Sequence, residues 1–191
     1  RSLTRSALGL PQDAVVVGMV AFYSREKGYM EFFEAAKRLS REFPTMRFLT
    51  VGVALSQGIR SPIPDVEEVG LNGCLVRLED REDMPELYAA MDIVVLPSYR
   101  EGLPRCLLEV AMMGKPIVAS NISGNREVVE HGVNGFLVPV RDAGSLADAI
   151  AQLARDPELR ARMGEAGRRK ALAAFDEQEV FRKVEDVYRE L

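Results

Sequence analysis

The stretch Pro97-Ser-Tyr-Arg-Glu-Gly-Leu-Pro-Arg-Cys-Leu-Leu-Glu-Val-Ala-Met-Met-Gly-Lys-Pro116 decides how the rest of the chain is read. It follows the apolar run Ile93-Val-Val-Leu96 and leads into a second one, Pro116-Ile-Val-Ala-Ser120. Between them lie a turn from Tyr99 to Pro104 and a helical run that Gly114 closes. Strand, polar loop, helix and strand in that order put Glu101 at the C-terminal end of a buried strand and Glu109 in the helix after it. In open α/β sheets that edge is where ligands bind.

Working outward, the same alternation repeats. Ala14 to Ala21 is a continuous apolar run, the mark of a strand buried on both faces. From Tyr29 to Phe43 the positions Phe32, Phe33, Ala36, Leu39 and Phe43 recur at helical spacing, and Pro44 ends the helix. Arg47–Val51 and Cys74–Leu78 are further strands, with a loop over 53–64 and a short helix over 65–71 between them. Met84 to Met91 is a helix with Pro85 in its first turn. Asn125 to Glu130 is a short helix and Gly135 to Val138 the sixth strand. The remainder is helical: Ser145 to Ala154 with Ser145 as cap, Asp156 to about Phe175, and Asp176 to Leu191. Six alternations predict an α/β fold, a Rossmann-like doubly wound parallel sheet with a helical C-terminal tail.

Size and composition narrow the function classes. At 191 residues the chain fits one domain, 1–191, with 145–191 as its helical tail. A formal net charge of -4 argues against a nucleic-acid partner, which requires an excess of cations on one face. No apolar run reaches membrane-spanning length, and no signal peptide is present. One His and two Cys, Cys74 and Cys106, are too few for a zinc site, and both thiols are expected to be free and buried. The chain opens on Arg1 and reads as a piece of something longer.

The candidate site residues are ambiguous on their own chemistry. Arg25 and Lys27 occupy the turn after the first strand, a phosphate position in such folds, without a GxGxxG pattern. From those residues alone a solvated loop is the plainer reading. Glu101 and Glu109, separated by a loop and a helix start, do not suit the opposed carboxylates of a glycosidase. They suit two grips on the hydroxyls of an elongated ligand, or else a surface charge and a solvent-facing helix charge. Gly124, in Ser123-Gly-Asn-Arg-Glu127, permits a tight turn, and Glu127 reads as a helix N-terminal acid. His131 reads as structural, Glu79 to Asp83 as a solvated acidic turn, and Arg168-Arg-Lys170 as a wet face.

Several motifs in fixed order carry a resemblance. Pro97-Ser-X-X-Glu-Gly-Leu-Pro-X-X-Leu-Leu-Glu109, Gly114-Lys-Pro-Ile-Val-Ala, Gly124-X-X-Glu127, Lys27-Gly28 and Gly132-X-Asn-Gly-Phe-Leu-Val-Pro139 resemble the C-terminal domain of retaining GT-B glycosyltransferases of family four. The resemblance covers nearly the whole chain. It implies one half of a two-domain cleft, the half that holds a nucleoside diphosphate sugar, UDP-linked by preference. It implies Glu109 on the ribose and Glu101 near the donor sugar. The backbone of Gly102, Leu103, Pro104 and Arg105 would face sugar or phosphate. Lys27 would clamp the diphosphate, with no metal and no further cofactor.

The glycosyl group would pass, with retention, to a glycan or lipid-linked acceptor held by an N-terminal domain, and this half alone would be inactive. The setting implied is cytoplasmic, with peripheral contact at the inner membrane face left open. Relatives carry an Arg five positions before the Lys, where this chain has Phe22. Arg25 is the expected substitute. The alternative is a domain that keeps the fold for docking and has lost the chemistry. A GT-B-like epimerase is disfavoured by the single His131.

Overall fold

The computed structural model describes residues 1–53, 63–64 and 67–174. Among them six strands form one sheet: β1 Val16–Val20, β2 Arg47–Gly52, β3 Leu75–Glu79, β4 Ile93–Leu96, β5 Ile117–Ser120 and β6 Gly135–Val138. Their order is β3-β2-β1-β4-β5-β6, and every neighbouring pair is parallel. The sheet therefore runs outward in two directions from β1 and β4. The crevice above that reversal point, at the strands' C-terminal ends, is the natural ligand position.

Both faces are covered, which explains why the strands read as apolar runs and not as alternating patterns. On one face Val17, Met19, Phe48, Val95 and Val118 pack under α2 (Tyr29–Glu42) and α6 (Ala143–Arg155). On the other, Val16, Leu49, Val94, Leu96 and Ile117 pack under α3 (Met84–Ala90), α4 (Arg105–Met112) and α5 (Ser123–Val128). Ala171 of α7 (Pro157–Ala174) joins that second core. Alternate residues of one strand thus serve opposite cores, the period-two geometry of a pleated strand.

Two local expectations are corrected. The cap of α6 is Asp142, whose carboxylate accepts from the Ser145 amide at 2.8 Å and from the Ser145 hydroxyl at 2.6 Å. A carboxylate three residues earlier outcompetes the hydroxyl for the free amides of the first turn. Residues 67–70 form a turn closed by Gly70 N–H to Glu67 O at 3.1 Å, while 65 and 66, with the loop over 54–62, lie outside the described residues. The helix expected over 176–191 also lies outside them.

One buried charge carries no mark in the sequence. Arg5, on the short helix α1 (Ser2–Ala7), is fully buried beneath the N-terminal edge of the sheet. Its guanidinium donates to the carbonyls of Ala90, Pro11, Gln12 and Ala14 and to Asp92 Oδ2 at 2.7 Å. The same Asp92 oxygen accepts from the Val16 amide, at the entrance to β1. A buried cation is tolerated when its donors are matched in this way.

Candidate functional site

Three loops at the C-terminal edge interlock. The first follows β1 and ends in a single 3-10 turn, Arg25–Lys27. Gly28 comes next at φ 81°, where a Cβ would stand 2.2 Å from the Pro97 carbonyl oxygen. Only glycine accepts both the left-handed backbone and that approach. The second loop, after β4, donates its Tyr99 amide to the Glu26 carbonyl at 2.8 Å. The third, after β5, brings Gly124 so close that a Cβ would meet the Gly102 carbonyl oxygen at 2.0 Å. Beneath it the fully buried Asn125 amide donates to the Ser120 carbonyl at 2.9 Å, and the Ser120 hydroxyl donates to the Ser98 carbonyl.

The result is a cavity of about 310 Å³ at the reversal point of the sheet. Phe22 and Lys27 line it from the first loop, Glu101, Leu103 and Pro104 from the second, and Arg105 and Cys106 from α4. Lys27 Nζ meets Glu101 Oε1 at 2.7 Å, with the carboxylate side chain mostly buried. The Lys27–Glu101 pair joins two motifs 74 residues apart in sequence. Burial, then the nearby Glu101 and Glu109 carboxylates, push the Cys106 thiol up to about 12. It is a neutral wall of the cavity; Cys74 and Cys106 are free as expected, but both are half-buried and not buried.

Other expected residues fall elsewhere. Arg25 is exposed and is not part of the cavity wall. Glu109 is exposed and lines an adjoining apolar groove of about 330 Å³ with Pro85, Tyr88, Leu108 and Met112. Its Oε2 accepts from the Tyr88 hydroxyl at 2.7 Å, while the rest of Tyr88 is buried. Arg105 and Glu109, four residues apart, share one face of α4, so the cavity and the groove are both lined from that helix. Pro104 lacks an N–H and can present only its carbonyl, which the Leu107 amide already uses at 3.0 Å.

Glu127 is exposed and is the fifth residue of α5, beyond the first turn expected for it. His131 accepts from the Leu137 amide at 3.0 Å through Nδ1 and stands edge-on to Phe136, a structural role as expected. The sequence missed Arg81. It stands in the acidic turn after β3, is paired bidentately with Asp83 at 2.7 and 2.5 Å, and lines the cavity. Only the parallel pairing of β3 beside β2 brings that turn to the site, and no local signal announces it.

Comparison with known proteins agrees with this geometry. The family model described as glycosyl transferases group 1 matches residues 1–170. The chain belongs to that family. A D-inositol 3-phosphate glycosyltransferase of Corynebacterium urealyticum is 32% identical over 98% of this chain and 46% of its own length. The UDP-Gal:alpha-D-GlcNAc-diphosphoundecaprenol alpha-1,3-galactosyltransferase of Escherichia coli is 31% identical over 97% of this chain and 48% of its own. Among solved structures, Anabaena HepE in complex with UDP and glucose superposes with a TM-score of 0.88 at 28% identity, over 100% of this chain and 52% of that one. The chain therefore spans about half the length of these group 1 glycosyl transferases. It has the fold of the C-terminal half-domain of a GT-B glycosyltransferase. No helix among the described residues is long and apolar enough to cross a membrane.

Proposed function

We propose that this half-domain holds the nucleoside diphosphate sugar of a retaining glycosyltransferase, with UDP the favoured carrier. The carrying observation is the Lys27–Glu101 pair, closed at 2.7 Å in a cavity at the reversal point of a parallel sheet. The complex of HepE with UDP and glucose supports the choice of carrier.

In this reading Lys27 meets the negative charge that grows on the diphosphate as the glycosidic bond breaks, so side-chain cations serve where other transferases use a metal. Glu101, its carboxylate fixed by Lys27, accepts from hydroxyls of the donor sugar. Glu109 accepts from the ribose hydroxyls, with one oxygen held by Tyr88 so that the carboxylate keeps a fixed orientation. The acceptor, a glycan or lipid-linked sugar, comes from a facing N-terminal domain. The E. coli relative, named for a diphosphoundecaprenol-linked acceptor sugar, supports the lipid-linked option.

A docking domain without chemistry rests on Phe22 alone, and the cavity wall retains Lys27, Arg81 and Arg105. Calorimetric titration with UDP, GDP and ADP and their glucose conjugates tests the reading. One nucleotide is expected to bind, and Glu109→Ala to weaken it about 10- to 100-fold, the loss of hydrogen bonds to a charged group. Absence of binding by all of them at millimolar concentration would remove the donor site.

A further inference from the structure

Four charged side chains line the cavity: Lys27, Arg81, Arg105 and Glu101. Two of the three cations are already committed. Lys27 is neutralised by Glu101 at 2.7 Å, and Arg81 by a two-point contact with Asp83. Arg105 makes no hydrogen bond or ion pair with any described residue, and it is exposed at the first position of α4.

Its isolation has a structural cause. An Arg and a Glu four residues apart on one helix face ordinarily pair. Here the Glu109 carboxylate is drawn to the Tyr88 hydroxyl on α3 at 2.7 Å. Tyr88 is anchored in the core at 2% exposure, so it holds Glu109 off Arg105. On the first loop Lys27 is the one cation in the cavity lining, because Phe22, 52% exposed, contributes only an apolar ring.

We infer that the Arg105 side chain, and not Arg25, is the second cation of the diphosphate site. A planar guanidinium with its donors unspent can take two phosphate oxygens in one bidentate fork, a geometry that the Lys27 ammonium does not offer. It needs no internal ion pair broken before the anion enters, whereas Lys27 must share with Glu101. The inference rests on the donor-site reading, and it adds a side-chain role to a residue otherwise expected to contribute only backbone.

The test is binding of UDP, or of whichever of GDP and ADP the wild-type chain takes, to Arg105→Gln and Arg25→Gln by calorimetry. The corresponding nucleoside is followed in parallel by ligand-observed NMR. Arg105→Gln is expected to weaken the diphosphate about 10- to 100-fold, the loss of one charge-assisted contact, and to leave the nucleoside within twofold. Arg25→Gln is expected to leave both within twofold. The residue is exposed, so an unchanged thermal midpoint accompanies the loss. A diphosphate affinity within twofold of wild type in Arg105→Gln overturns the inference and leaves the donor site standing. So does a loss that appears with Arg25→Gln instead. If the wild-type chain takes no nucleoside diphosphate, the donor-site reading and the inference fall together.

Discussion

The Cys106 thiol is desolvated in the cavity wall and feels two carboxylates, and this makes its chemistry predictable. Burial and the nearby Glu101 and Glu109 raise it to about 12, against about 8.5 for an ordinary thiol. A thiolate-selective disulfide reagent is therefore expected to leave Cys106 unlabelled from pH 7 to 9 in the native chain, and to label it readily after denaturation. Mass spectrometry after tryptic digestion reads the site directly. The stability linkage has a definite sign. The folded value lies above the unfolded one, so the contribution of the protonated thiol is complete below about pH 8.5 and is lost as pH rises toward 12. Lys27, Glu101 and Glu109 were singled out by the motif resemblance, since the position of each relative to one strand and one helix is set locally. Arg81 was not, and neither was the isolation of Arg105. Each depends on partners brought in by a different strand or helix, and a linear reading does not contain that information.

Elements were the most legible level. Both-face burial makes parallel strands read as apolar runs, so all six were found to within two residues or so, and their parallel arrangement followed from the helices between them. Caps were less legible, because Asp142 and Ser145 are both good capping residues and only geometry chooses between them. The element that depends most on its surroundings is α1, a six-residue helix read from the sequence over Ser2 to Gly9 and too short to be stable by itself. Arg5 holds it in place through four carbonyls and Asp92. Replacing it, as in Arg5→Met, strands those carbonyl acceptors and removes one of the two cations on Asp92, leaving only the exposed Arg1 at 2.7 Å. A loss of about 3–5 kcal/mol in urea unfolding is expected, the range for breaking one side of a buried pair. A loss under about 1 kcal/mol, the net worth of an ordinary hydrogen bond, would show that α1 is merely laid against the sheet.

For the molecule as a whole, the chain spans about half of its relatives' length while its own two-faced core is well filled. Binding and turnover are thus expected to separate. The chain alone should bind the nucleotide, with nucleotide raising its thermal midpoint, and should release no measurable sugar from the donor to any acceptor. Transfer by this chain alone, followed by radiolabelled sugar, would show that a facing domain is dispensable.

The interlocking of the three loops through Gly28, Gly124 and the carbonyls of Pro97 and Gly102 bears on how such a site can be redesigned. The contacts that set its shape are made by main-chain atoms, which the genetic code cannot vary. An engineer seeking a new donor preference inherits that framework unchanged and should leave both glycines untouched. The freedom lies in side chains that project from it, Phe22, Arg81, Leu103 and Arg105. A small library at those four positions samples the pocket's chemistry while its outline stays constant.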